Sequence, residues 1–504
     1  MKKSLKFLSC LAASAAIMAT TVPLTACNRA DDTLVLRVSN WEEYIDLGGW
    51  DDEELIEIDN PYDAEAGGVI GKNSMIDDFE EWFNGENHGF KVKVEYSTFG
   101  TNEDLFNRLN LGDKYDVVCP SDYLLMKLIS EGKAEKYSES FHDKSVETNY
   151  YARNVSPYID ERFKSYGWDE YAACYMLGTT GIVYNPDIVD GEDVRSWSLF
   201  ENKKYSGSVT VKDNVRDSYF AALGIYNSEK LLSDGVSAEK MSEMMNATDE
   251  ETVSAALGIL KNIKNNVYSF ETDSGKADMI TGKVAANYQW SGDAVYIMDQ
   301  ADADERTPTE LWFSVPEECT NLWFDGWIML KDGIAGNENK KIAAEAFVNF
   351  LSRPDNAIRN MYYIGYTSAI SGENDMILDY MRYNYGAEDD GEIELYDYDV
   401  SYFFGKPCSV TVDKATLDFD ENEKISRGRQ LFAQYPPQEV IERSVIMMDF
   451  GERLSDINQM WINVRCLDVK DFNPAVVWSV VGIIVAGAAA IVLYKFRYRI
   501  FYRR

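Results

Sequence analysis

Histidine is almost missing from this chain: two in 504 residues, His88 and His142. Each lies in a polar, turn-like stretch, so histidine-based catalytic triads and zinc sites have little to build on. A GxSxG elbow, a Walker A loop and a GxGxxG turn in a strand–helix setting are also lacking, which removes the common acyl-transfer and phosphate-cradling devices. Cysteine is scarce. Cys10 and Cys27 fall at the N-terminus, leaving Cys119, Cys174, Cys319, Cys408 and Cys466, an odd number with no CxxC spacing. Neither a disulfide framework nor a zinc site is indicated, and buried free thiols are expected. The run Asp418-Phe419-Asp420-Glu421-Asn422 imitates half of a calcium loop. Glu423 stands where the loop needs glycine, however, and Arg429 where it needs a bidentate glutamate. No metal and no cofactor is expected, and the chain has no internal repeat or low-complexity tract.

Positive charge is the other deficit. The formal net charge is −36, and the basic residues are unevenly placed. Lys2, Lys3, Lys6, Lys495, Arg497, Arg499, Arg503 and Arg504 sit at the two ends with no acid among them, so removing these eight takes the remainder to −44. A body this acidic repels nucleic acid and draws cations.

The ends themselves read as membrane signals. The three N-terminal lysines precede an apolar stretch through Met18 and then Leu24-Thr25-Ala26-Cys27. This resembles a bacterial lipoprotein signal over residues 1–27, with Cys27 as the lipidated residue. Residues 475–494 carry no charge, and such a run is long enough to cross a hydrocarbon core of about 30 Å. The basic tail 495–504 that follows places that end in the cytoplasm. Both signals agree on one topology, with residues 28 to about 473 outside the cytoplasm at the cell membrane.

Between the ends, β-rich runs alternate with helical ones, which predicts an α/β protein, and the length predicts at least two lobes. Thr33–Ser39, Phe90–Tyr96 and Tyr115–Cys119 read as strands, and Asn102–Asn110 as a helix. Thr248 and Glu251 form a capping box ahead of Val253, Ala256, Leu257, Leu260 and Ile263, whose spacing is helical. Lys341–Leu351 predicts another helix, ended by Arg353-Pro354. The Gly- and acid-rich stretches 47–73 and 386–399 read as peripheral surface insertions.

Five segments join aromatic to acidic residues: Asn40-Trp41-Glu42-Glu43-Tyr44, Pro120-Ser121-Asp122-Tyr123, Arg216-Asp217-Ser218-Tyr219, Trp290-Ser291-Gly292-Asp293 and Trp323-Phe324-Asp325-Gly326-Trp327. In open α/β sheets ligands sit at the carboxyl ends of strands, where the first, second and fifth segments are expected. Carboxylates beside aromatic walls suit a flexible organic cation. Its ammonium groups need charge partners once desolvated, and its methylenes and amines gain about 0.5–2 kcal/mol per cation–π contact.

Taken in order, these segments resemble the spermidine/putrescine-binding proteins of bacterial polyamine ABC importers, from about Leu34 to about Gln459. The matching stretches include Ser39–Tyr44, Tyr96–Glu103, Tyr115–Tyr123, Leu177–Asn185, Phe347–Pro354 and Ile364–Tyr366. The resemblance implies a two-lobed periplasmic-binding-protein-like fold with ligand in an interlobe cleft and a membrane permease as partner. Carried across, the first lobe would hold 33–178 and 325–374, and the second 179–324 and 375–470. Glu43 would pair with one terminal ammonium, flanked by Trp41 and Tyr44. Ser121 and Tyr123 would add a hydroxyl and an aromatic wall. Asp217, beside Arg216, would receive an amine from the second lobe. Trp290 and Trp323 would sandwich the methylenes, Asp325 would bind an amine near the hinge, and Tyr366 would add a further aromatic face. Three positions depart from the family pattern. Glu42 replaces a small hydroxyl residue, Asn214 replaces a carboxylate near Asp217, and Met447 replaces a glutamine.

Other readings stay open on sequence alone. The same fold could take a sugar, thiamine or ferric iron, with Tyr362-Tyr363 as the tyrosine pair iron would want. A membrane-tethered glycoside hydrolase using two carboxylates is not excluded by counting acids. A sensing receptor is disfavoured by the ten-residue tail after Tyr494.

Overall fold

Two strands, Ala172–Tyr184 and Thr320–Leu330, run antiparallel through both halves of the molecule and are buried along their whole length. The computed structural model describes residues 33–466 apart from 273, 305–308 and 390. The expected signal segment with Cys27, the 475–494 span and the basic tail lie outside the described residues. Among the described residues, no helix is long and apolar enough to cross a membrane.

The two crossover strands are mostly apolar because each lobe covers both of their faces, the buried exceptions being Thr179, Thr180, Thr320, Asn321 and Asp325. On one side they join the parallel strands Thr33–Trp41, Lys91–Phe99 and Val117–Val118 to make the sheet of the first lobe. On the other, Thr180–Tyr184 pairs with Ala286–Trp290, which runs parallel to Val209–Lys212, and with Trp312–Ser314. This second sheet is covered on both faces. Trp197, Tyr288 and Leu260 belong to one apolar cluster, and Phe313, Ile297 and Phe432 to another. The result is the two-lobed α/β architecture that the sequence predicts, with the lobes joined by these two crossing strands.

Element positions follow the sequence closely, with three corrections. The helix expected after a Thr248–Glu251 box is Glu250–Lys264, and its cap is Asp249, which accepts from the Thr252 backbone N–H at 3.1 Å and the Thr252 hydroxyl at 2.6 Å. A carboxylate is simply the better acceptor for the first-turn donors. The 47–73 stretch is not merely peripheral: Trp50, Ile56 and Val69 are buried in the first core, and Trp50 packs on Tyr362 with ring centroids 4.6 Å apart. In the 386–399 stretch, Leu395–Asp399 pairs with Ser409–Asp413 as a separate two-stranded sheet, and Tyr398 is fully buried.

That small sheet also alters the expected lobe division. Residues past 374 do not all join the second lobe. Met376, Ile377, Tyr398, Val410 and Val412 enter the first core, where the Ser156 hydroxyl donates to the Phe403 carbonyl at 2.5 Å. Only later residues, such as Val445, Ile457 and Met460, pack into the second lobe. The alternation Tyr398, Val400 and Val410, Val412 gives this hairpin an apolar face, which the first lobe covers. Of the thiols, Cys119, Cys174 and Cys319 are buried as expected, whereas Cys408 is half-buried and Cys466 exposed.

One ionic knot fixes the 47–73 segment to the first lobe. Asp46 is fully buried and accepts from Arg359 Nε at 2.8 Å, Trp50 Nε1 at 3.0 Å and the Gly48 N–H at 2.9 Å. Arg359 also reaches Asp78 at 2.6 Å and the Asn73 carbonyl at 2.8 Å. Asp46→Ala leaves that guanidinium buried with one partner removed, so urea unfolding should show a loss of about 3–5 kcal/mol. A change below about 1 kcal/mol would refute this role for the knot.

Candidate functional site

The parallel strands of both lobes point their carboxyl ends at the seam between them. Thr33–Trp41 ends in the segment Asn40–Tyr44, and Val117–Val118 leads directly to Pro120-Ser121. From the second lobe, Val209–Lys212 leads into the helix Val215–Leu231 that carries Asp217, and Ala286–Trp290 leads into the helix Ser291–Asp302 that carries Asp293. The first two aromatic–acidic segments thus lie where expected. The fifth does not: Asp325 stands in the middle of Thr320–Leu330, at a break in strand register between Asp325 and Gly326. Because that strand traverses both lobes, its middle is the seam.

Asp325 is the centre of the first-lobe wall. It is buried and accepts from the Tyr44 hydroxyl at 2.8 Å and the Ser121 hydroxyl at 2.6 Å. Burial pushes its carboxyl up to about 6, against the opposing pull of those two hydroxyls. The same burial, together with Asp325, drives the Tyr44 phenol well above its usual range, so it remains a donor. Beside them Asp122 is buried and pushed up to about 7, again chiefly by burial, although the N–H groups of Tyr123 and Phe324 hold it at 2.7 and 3.2 Å. The turn that presents Tyr44 is pinned by Asn40 Nδ2 and the Tyr175 hydroxyl, which both donate to the Tyr44 carbonyl, at 3.0 and 3.1 Å. Within that turn Glu43 has a left-handed backbone, φ 54°, uncommon for a non-glycine residue. Its carboxylate is exposed, as is that of Glu42, while Trp41 is half-buried against Phe99.

The second-lobe wall holds both acids and cations. Asp217 is buried and pushed up to about 6 by burial, with Lys212, the Trp290 indole and Arg216 pulling the other way. Lys212 has no exposed surface. Its ammonium lies 3.3 Å from the Trp290 ring centroid and 3.8 Å from Asp293. Asp293 also receives Lys276 Nζ at 3.2 Å. Asn214 spends its side-chain oxygen as the cap of the Asp217 helix, accepting from the N–H groups of Arg216 and Asp217. Met447 is half-buried in the second core, with its backbone N–H on Asn321 Oδ1 at 3.2 Å.

Among the described residues, side-chain contacts cross the seam at Arg216 and at Tyr366. Arg216 lies over the Tyr123 ring at 3.6 Å and over Phe450 at 4.4 Å, and is tied to Asp449 at 3.4 Å. Tyr366 stands 5.5 Å from the Tyr44 ring and 5.2 Å from that of Trp323, and its hydroxyl donates to Asp293 at 3.2 Å. Its ring lies directly on Gly292, where a Cβ would fall 1.0 Å from Tyr366 Cδ1. Of the residues expected to bind, Tyr44, Ser121, Asp325, Trp323 and Tyr366 form one connected wall. Asp217 and Trp290 form the facing one, and Tyr123 meets it through Arg216. Glu42, Glu43 and Asn214 do not share these side-chain contacts. Asp122, Asp293 and Lys212 were not assigned roles from sequence. The two acids stand inside the aromatic–acidic segments. Lys212 gave one signal, a lysine closing the strand just ahead of Asn214 and Asp217.

A seam lined by buried carboxylates and indoles, between lobes joined by crossing strands, is the architecture of a solute receptor. Residues 74–377 match the profile of the bacterial extracellular solute-binding proteins, and the chain belongs to that family, which makes it a binding protein and not an enzyme. Among curated relatives, the spermidine/putrescine-binding periplasmic protein of Escherichia coli K12 is 28% identical over 340 residues, covering 67% of this chain and 78% of that protein. Its counterpart in Salmonella typhimurium is 30% identical over 278 residues, covering 55% and 70%. Among solved structures, the spermidine/putrescine ABC transporter substrate-binding protein of Streptococcus pneumoniae shares the fold at a TM-score of 0.53 and 20% identity, with 86% of this chain and 98% of that one aligned. The Treponema pallidum lipoprotein Tp0655 does so at 0.55 and 19%, with 86% and 99% aligned.

Two outcomes test this geometry. Asp325 has a raised folded-state pKa, so it stabilises the fold fully only below its unfolded value of about 4 and loses that contribution as pH rises through about 6. Asp325→Asn, which mimics the protonated form, should therefore gain about 1–3 kcal/mol in urea unfolding at pH 7.5, and the gain should shrink steadily toward pH 4. A variant less stable than the parent at pH 7.5 would refute the burial argument. Gly292→Ala must displace Tyr366, so small-angle scattering should show lobes held further apart, and Gly292→Ala combined with Tyr366→Ala should restore the parental dimensions.

Proposed function

We propose that this chain is the substrate-capturing subunit of an ABC importer for polyamines such as spermidine and putrescine, displayed outside the cytoplasm and delivering its ligand to a membrane permease. The observation that carries the reading is the pairing of walls across the seam: Asp325 with Tyr44 and Ser121 from one lobe, Asp217 and Trp290 from the other. Asp325 receives an amine near the crossover strands. Trp323, Trp290 and Tyr366 cover the methylenes, and Glu43 reaches the ligand from the left-handed turn at the rim. The names of the curated relatives support the same ligand class. Closure adds specificity, because carboxylates that are costly to keep ionised while buried are relieved by a cation that arrives with the second lobe.

Ferric iron draws no support from the Tyr362-Tyr363 pair, since Tyr362 is packed on Trp50. Anchoring at Cys27, at residues 475–494, or at both keeps the receptor beside its permease and completes the proposed topology.

Calorimetric titration of the full-length protein with putrescine and spermidine tests the reading, and binding to at least one well below millimolar is expected. Asp325→Ala and Trp290→Ala should each weaken it at least tenfold, on the scale of about 1.4 kcal/mol. No measurable heat with either ligand at millimolar concentration would reject the function, and unchanged affinity in both variants would reject the site.

A further inference from the structure

The two walls of the seam are not electrically alike. On the first-lobe side, the two oxygens of Asp325 are held by hydroxyls, those of Tyr44 and Ser121. On the second-lobe side, the acids already have cations from the chain itself. Lys212, completely buried, lies 3.3 Å over the Trp290 face and 3.8 Å from Asp293, and its charge acts directly on Asp217. Lys276 adds a second ammonium on Asp293 at 3.2 Å. An ammonium over an indole, flanked by carboxylates, is the arrangement that a ligand amine would make there. Trp323, on the same wall as Asp325, keeps its indole N–H buried with no acceptor among the described residues, so beside the Asp325 carboxylate that wall also offers an unused donor.

Accepting the amine-binding reading above, we propose that Lys212 is a specificity-determining residue: it fills the amine position between Trp290, Asp217 and Asp293, so the favoured ligand has one ammonium group and an uncharged, acceptor-bearing far end. The ammonium goes to Asp325. The far end, such as the amide of an N-acylated diamine, lies toward Trp290 beside the resident cation. Each additional ligand ammonium must either sit against Lys212 or drive it out of a buried site. Like charges in low dielectric repel strongly, and eviction uncovers the indole face and the carboxylates that Lys212 now serves.

The test is calorimetric titration of the full-length protein and of Lys212→Met with N-acetylputrescine, putrescine and spermidine, which carry one, two and three cationic groups. Lys212→Gln serves as a second variant with a hydrogen-bonding tip, and thermal unfolding confirms that each variant is folded. The parent should bind N-acetylputrescine at least tenfold more tightly than spermidine. Both variants should reverse that order, with spermidine gaining at least tenfold. If the parent favours spermidine, or if the order is unchanged in the variants, the role of Lys212 is overturned while amine binding stands. If none of the three ligands binds parent or variants, amine binding itself fails and this inference falls with it.

Discussion

Everything about this molecule turns on keeping carboxylates out of water at the junction of two lobes. Burial raises Asp325, Asp217 and Asp122 well above the ordinary range of an aspartate. An ionised carboxylate in that setting is tolerable only with donors or cations around it. The fold meets the demand differently on its two sides, with hydroxyl and backbone N–H donors on the first lobe and lysine and arginine on the second. The crossover strands make this possible, since Asp325 stands beside a register break with apolar residues Phe324 and Trp327 close by in the strand.

Much of the architecture could be read from the chain. The alternation of Phe90–Tyr96 and the helical spacing of Val253 to Ile263 are local patterns, and local patterns survive folding. The lobe division past residue 374 was harder, because the hairpin of Leu395–Asp399 with Ser409–Asp413 carries an ordinary two-sided pattern. Its apolar face packs into the first core, and the segment between its strands is held by Ser156, far away in sequence. No local signal encodes that choice.

At the site, the first two aromatic–acidic segments lie at strand ends as open sheets lead one to expect, whereas Asp325 reaches the same seam from the middle of a strand. Individual roles were less legible. Asn214, looking like a lost carboxylate, is occupied in capping a helix. Glu43, the expected ammonium partner, is exposed on a left-handed turn. Lys212 closes a short buried strand, and a single lysine near acids carries no local signal that separates a buried cation from a solvated one. Only the three-dimensional arrangement reveals that it has no exposed surface and lies on an indole.

The described chain enters the first lobe through Thr33–Trp41, and its last helix, Leu454–Arg465, packs on the second lobe against Glu250–Lys264. Lys264 clamps that exit by donating to the carbonyls of Val464, Arg465 and Cys466 at 2.5, 3.2 and 2.9 Å. Tension applied between the two ends is therefore borne by the crossover strands and by the Tyr366 and Arg216 contacts, not by either lobe alone. A leash on one end leaves the jaws free to swing, while leashes on both couple their swing to the slack in the tethers.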